Sequence, residues 1–470
     1  MRMLTRLPVL LSIVALVAAP NRALAHASDR GFVLLLPTGH YIIGGAVAVA
    51  VSFLALVALK PDALAGLAAR RLPLFRLGFD PRPVTSALSF LALLVLVATG
   101  LIGSRDPLSN PLPLTIWTLF WVGLTLACGV FGNLFRLVDP WYAVMRLIGG
   151  AGRQAADARM DRMSYLPAIV QFAAFAWFEL VYPAPDDPYR LAIVVSAYWF
   201  INLAAMLIVG HGRWSRTGEC FSVFFRIISQ LSVIDARRDG GGFRLSLCLP
   251  GARLLKAPPL PMTGVAFLLM ALASVSFDGL MRTFWWLGRI GVNPLEFPGR
   301  SVVMAENTAG LFLAAATLTG AFLICVWSGE KLSGGTAGFR RAAGLLVWSI
   351  APIALAYHFA HYLTALLVNG QYALVAISDP FARGWNLFGT ADLHVSAGVV
   401  MGPDSAWVLW NLQAGAIVLG HVLAVVVAHA LAARLHDDPR AAMRSQIPLT
   451  VLMVGYTVLG LWLLSTPTGA

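Results

Sequence analysis

Ten separate apolar runs, each about as long as the roughly 20 residues a helix needs to cross hydrocarbon, constrain this chain more than any other feature. They lie near residues 40–60, 84–103, 114–135, 164–182, 190–210, 259–278, 303–327, 344–366, 406–433 and 447–465. In lipid every backbone polar group needs an internal partner, so spans of this length are helices and not barrel strands. The expected fold class is therefore all-α, a polytopic transmembrane helical bundle of about ten spans. Only 12% of the 470 residues are charged and 59% are hydrophobic, too few charges to solvate the surface of a soluble protein. The expected partner is the lipid bilayer.

The net charge of +12 points to topology and not to nucleic acid, because the basic residues are scattered between apolar runs and form no basic domain. Alternate connections carry 5, 5, 8, 3 and 3 Lys or Arg, 24 of the 34 in the chain. The opposite side carries seven: Arg30, Arg105, Arg190, Arg282, Arg289, Arg300 and Arg383. The positive-inside rule puts the richer set in the cytoplasm. Both mature termini are then expected outside, in the periplasm of a bacterial inner membrane.

Residues 1–25 have Arg2 and Arg6, an apolar stretch from Leu7 to Ala19, and Ala23-Leu24-Ala25 before His26. This is the pattern of a signal peptide with a small-x-small cleavage site; an uncleaved signal anchor is the other reading. Residues 26–470 read as one multi-span domain with two long connections. The inside one, 211–258, holds the amphipathic stretch ECFSVFFRIISQLSVI followed by ARRDGGGFR, expected as an interfacial helix and a glycine turn or as a solvated basic loop against anionic lipid. The outside one, 367–405, is rich in aromatic and apolar residues, which argues for a functional loop. Asn-Pro-Leu occurs at 110–112 and again at 293–295, a hint of duplication too short to establish one. The four cysteines have no close spacing, so neither a disulfide framework nor a thiolate metal site is expected.

Ionisable groups inside spans are costly and mark candidate sites. His358 and His361 lie three apart, on one helical face, and His26, His40 and His394 fall on the same outer side as Asp278, Glu296, Glu306, Asp379, Asp392 and Asp404. Imidazoles and carboxylates converging there would suit a divalent ion such as zinc, copper or manganese. A mature His26 would add an α-amino and imidazole chelate suited to copper, resembling the N-terminal histidine of periplasmic copper proteins. Alternatively His358 and His361 hydrogen-bond neighbouring helices. Glu296 and Arg300, four apart beside Arg289, read either as a structural ion pair or as a handle for an anionic substrate. Asn411, Gln413, His421 and His429 descend one span and would suit a transporter or metal-handling permease.

Several stretches carry a resemblance: LLLPTGHYIIGG, NPLPLTIWTLFWVGLTL, GNLFRLVDPW, WLGRIGVNPLEFPGRS and HYLTALLVNGQYALVAISDPFARGWNLFGTAD. Together with the signal segment ending in Ala-His, they resemble the bacterial polytopic membrane family of fenitrothion hydrolases over essentially the whole mature chain. The resemblance implies a membrane-bound hydrolase that cleaves a P–O bond of a small hydrophobic organophosphorus triester. It carries over no catalytic residue. In a metal-assisted form of that chemistry, Asp392 or Glu306 is the expected general base, with His358, His361, His26, His40 and His394 as the pool of metal ligands. The alternatives are the permease and a scaffold whose outer loop binds a periplasmic partner.

Overall fold

A computed structural model describes residues 38–57, 66–150, 163–297, 299–396, 398 and 402–468. The signal segment and His26 lie outside the described residues. Nine helices among the described residues are long and apolar enough to cross a membrane. We label them α1 (Thr38–Val57), α2 (Arg82–Ile102), α3 (Pro111–Phe131), α5 (Pro188–Val209), α6 (Met262–Met281), α7 (Met304–Leu332), α8 (Phe339–Ser378), α9 (Pro403–Leu435) and α10 (Pro439–Ser465). The protein is an all-α polytopic bundle.

The remaining expected span, 164–182, is the shorter helix α4 (Leu166–Leu180). It nonetheless runs beside α6 from end to end. At one end the Tyr165 amide donates to Thr263 Oγ1 at 3.3 Å, and at the other Tyr362 bridges Glu179 and Asp278. Helix α6 is the central post, sealed from its surroundings from Phe267 to Gly279, as a helix apolar on every side must be.

Proline starts many of the helices. Pro111, Pro188 and Pro439 each occupy the first position, where the missing N–H costs nothing. Asn110, Asp187 and Asp438 precede them and cap the free amides with their side chains. The repeated Asn-Pro-Leu reflects the same local chemistry: Asn110 accepts from the Leu112 amide and Asn293 from the Leu295 amide.

Two connections differ from expectation. The outer segment 367–405 is helical up to Ser378, so the connection is confined to 379–402. Asn369-Gly370 resembles a helix breaker, but Ala373 and Ala376 bury themselves against Leu114 of α3, and that packing carries the helix on. In the inner segment 211–258, the amphipathic stretch does form a helix, Cys220–Ile228. It is buried on nearly all sides by the rest of the protein, and Glu219 caps its amides at Phe221 and Ser222.

Beyond this buried helix the chain enters a small antiparallel sheet. β2 (Ile234–Asp239) and β3 (Gly242–Leu247) form a hairpin around Gly240, whose φ of +60° suits glycine. β1 (Leu72–Leu77), from the α1–α2 connection, pairs on the other side of β3. A Cβ on Gly242 would lie 1.8 Å from the Leu77 carbonyl oxygen, so only glycine admits that approach.

Candidate functional site

The polar groups of the bundle gather where α6, α4 and α8 meet. On α6 the stretch FDGLMR puts Asp278 and Arg282 one turn apart on the same face, and their charges pair at 3.1 Å. From α8, His361 Nε2 lies 2.7 Å from the other oxygen of the same carboxylate. A carboxylate only accepts, so Nε2 carries a proton in this pair. The other ring nitrogen, Nδ1, lies beside Gly279, where a Cβ would stand 3.8 Å from it.

Tyr362, next along α8, places its hydroxyl 3.1 Å from both Asp278 and Glu179. It has one proton to donate to two carboxylates. Arg300 arrives from the connection before α7 and donates to the Glu179 carbonyl at 2.9 Å. The cluster thus holds two carboxylates, two guanidinium groups, an imidazole and a phenol. Asp278 is only 2% exposed; a carboxylate so deeply buried is tolerable because three partners surround it.

Beside this cluster is a cavity of about 140 Å³. Arg282, His361, Thr364 and Gln413 supply its polar wall, and Leu409, Leu463 and Leu464 its apolar one. Asp278 sits behind that wall, joined to both Arg282 and His361. An imidazole and a guanidinium therefore face one cavity, with a buried carboxylate behind them that orients both.

His358 does not join it. Its Nε2 bonds the Trp121 carbonyl at 3.0 Å, its ring packs edge-on against Trp121, and only 1% of it is exposed. Trp121 belongs to an eleven-residue π-helical stretch of α3, Leu114–Leu124, and its carbonyl also accepts from the Thr125 hydroxyl. His358 and His361 share a helix face, yet one is sealed against α3 and the other faces the cavity.

The other expected site residues are dispersed. His40 is exposed in the first turn of α1, and Glu306 is exposed in the first turn of α7. Asp392 and His394 are exposed in the 379–402 connection, where Asp392 accepts from Asn386. Glu296 is exposed in a short 3₁₀ turn, while Arg300 points away to Glu179, so the pair is not an ion pair. Among the described residues no three His, Cys, Asp or Glu side chains form a group able to hold a metal ion.

Three of the four polar groups in the α9 series bond within the bundle, and the fourth, His429, is buried. Asn411 accepts from Tyr41, Gln413 donates to the Ala360 carbonyl, and His421 bonds the Ile417 carbonyl of its own helix. Glu179 and Arg282 were not singled out by sequence. Their signals were there: a carboxylate inside the aromatic run AWFELVY, and an acid and a base four apart at the end of a span. No protein-family model, curated protein or solved structure matches the chain.

Proposed function

We propose that the protein is a membrane-bound hydrolase of small hydrophobic organophosphorus triesters, acting at the cavity walled by His361 and Arg282. The observation that carries this reading is the Asp278–His361 pair, a buried carboxylate holding Nε2–H of an imidazole that lines the cavity together with Arg282. The proposed setting is the bacterial inner membrane, with this end of the bundle on the periplasmic side. The resemblance to fenitrothion hydrolases supplies the substrate class.

In the proposed reaction, water attacks phosphorus while His361 Nδ1 takes its proton, and Asp278 stabilises the imidazolium that forms. Arg282 stabilises charge on the phosphoryl oxygen. The P–O bond to the leaving group breaks, and the proton on His361 passes to the departing alkoxide or phenoxide. The products are a phosphodiester and an alcohol or phenol. At about 140 Å³ the cavity is smaller than sites for drug-sized ligands. The phosphoryl centre fits there, and its substituents extend along the apolar wall of Leu409, Leu463 and Leu464.

A divalent ion would lower the pKa of a bound water and polarise the phosphoryl oxygen; His361 and Asp278 offer two donors, and no third His, Cys, Asp or Glu completes the set among the described residues. Elemental analysis of the purified protein tests this branch. The test of the main proposal is release of nitrophenol from a dialkyl nitrophenyl phosphorothioate by protein in detergent or nanodiscs. Turnover that survives His361→Asn within about twofold would refute it; a loss of about 10²–10⁴-fold is expected.

A further inference from the structure

At the opposite end of the bundle, the segment leading into α6 and the three-stranded sheet border a second, open cavity of about 420 Å³. Five basic side chains line it, Arg71, Arg226, Arg237, Arg253 and Lys256, against one carboxylate, Asp235. Pro261, in its wall, precedes Asp278 by 17 residues of helix, about 25 Å along the axis. It is therefore separate from the proposed hydrolytic site.

The charges do not balance within the cavity. Asp235 is shared by three arginines: Arg71 at 3.1 Å, Arg237 at 3.0 Å and Arg253 at 4.0 Å. Arg226 donates from Nη2 to the Arg216 carbonyl and to Tyr165, but its buried Nε has no partner among the described residues. Burial holds Arg253 below the usual arginine range against the pull of Asp235, with Arg71 and Arg237 adding to the lowering. Like charges gathered in a partly dry space repel strongly unless an anion joins them. Arginine forks pair with phosphate oxygens two at a time, which makes phosphate the matching anion.

We infer that this cavity binds a phosphate group. Its other wall is apolar, formed by Pro258, Leu260 and Trp348, with the Trp348 indole fixed by a 2.8 Å bond to the Pro258 carbonyl. A basic wall meeting an apolar one, where membrane helices begin, matches the headgroup of an anionic phospholipid. Free phosphate has the same chemistry without the acyl chains, and the two sources are separable by experiment.

The full chain, delipidated in neutral detergent, is titrated with dioleoyl phosphatidylglycerol, dioleoyl phosphatidylcholine and inorganic phosphate. Native mass spectrometry reads lipid adducts, and thermal unfolding reads all three ligands. One phosphatidylglycerol should bind at a concentration at least tenfold below that needed for phosphatidylcholine. Arg253→Gln and Lys256→Gln should each weaken it severalfold. Lys256 is exposed, so its substitution keeps the fold and isolates the binding effect. If inorganic phosphate stabilises the protein with the same sensitivity to both substitutions, while the two lipids bind alike, the site stands and its ligand is soluble. If neither phosphatidylglycerol nor phosphate separates the wild type from Lys256→Gln and Arg253→Gln, the inference is overturned.

Discussion

Asp278 is the residue on which the proposed site turns, because one buried carboxylate orients both His361 and Arg282. Asp278→Asn keeps the shape but removes the charge that stabilises an imidazolium, so turnover should fall about 10²-fold or more while the helices remain assembled. Arg282→Gln should cost a similar 10²–10³-fold if it stabilises the phosphoryl oxygen. Glu306→Gln and Asp392→Asn, both exposed and apart from the cavity, should leave turnover within about twofold, given how little exposed polar groups contribute at a distance. Chromogenic turnover measured on the four variants side by side decides between the cavity and the outer acids. The sequence made His361 visible, since ionisable groups inside spans are costly, but not the residues it bonds. Spacing on one helix paired it with His358; its actual partners come from α6 and α4, 83 residues away for Asp278 and, through Tyr362, 183 for Glu179. No local pattern encodes distances of that kind.

At the scale of single elements, spans were legible because twenty apolar residues have only one stable conformation in lipid. The sheet was not, because its strands are six residues long, rich in arginine and drawn from two distant connections. Its dependence on Gly242 gives a sharp test. Alanine there would force Leu77 away from β3, so Gly242→Ala should destabilise the protein by about 1–3 kcal/mol, read as a lower midpoint of thermal unfolding in detergent. The same end of the molecule also predicts an acid response. Arg82 Nε binds Asp80 Oδ1 at 2.9 Å and holds its carboxyl down to about 2. A carboxyl depressed in the folded state contributes stability above its ordinary range, near 4, and loses it as pH falls towards 2. Asp80→Asn should therefore flatten the decline in unfolding midpoint between about pH 4 and 2, with little change near neutrality.

For the whole molecule, contacts between its two described ends have a structural consequence. Thr283, just past α6, bridges to Thr468 beyond α10, and Tyr41 near the start of α1 bonds Asn411 near the start of α9. Both ends of the described chain therefore lie at the end of the bundle that holds Asp278, and the sheet lies at the other, with most of the arginines. Applied to this polarity, the positive-inside rule predicts the orientation we propose, with the sheet in the cytoplasm and the cavity in the periplasm. The chain's own thiols make the test clean, since Cys128, Cys220 and Cys248 are buried and Cys325 is half-buried within α7. Leu387→Cys, exposed in the 379–402 connection, and Arg238→Cys, exposed on β2, then serve as reporters at opposite ends. In intact cells with a permeable outer membrane, an impermeant maleimide should modify the first and not the second, and disruption of the inner membrane should expose both. Labelling of Arg238→Cys alone would invert the protein, moving the Asp278 cavity to the cytoplasmic side and the phosphate-binding cavity away from the leaflet whose anionic lipids it is proposed to hold.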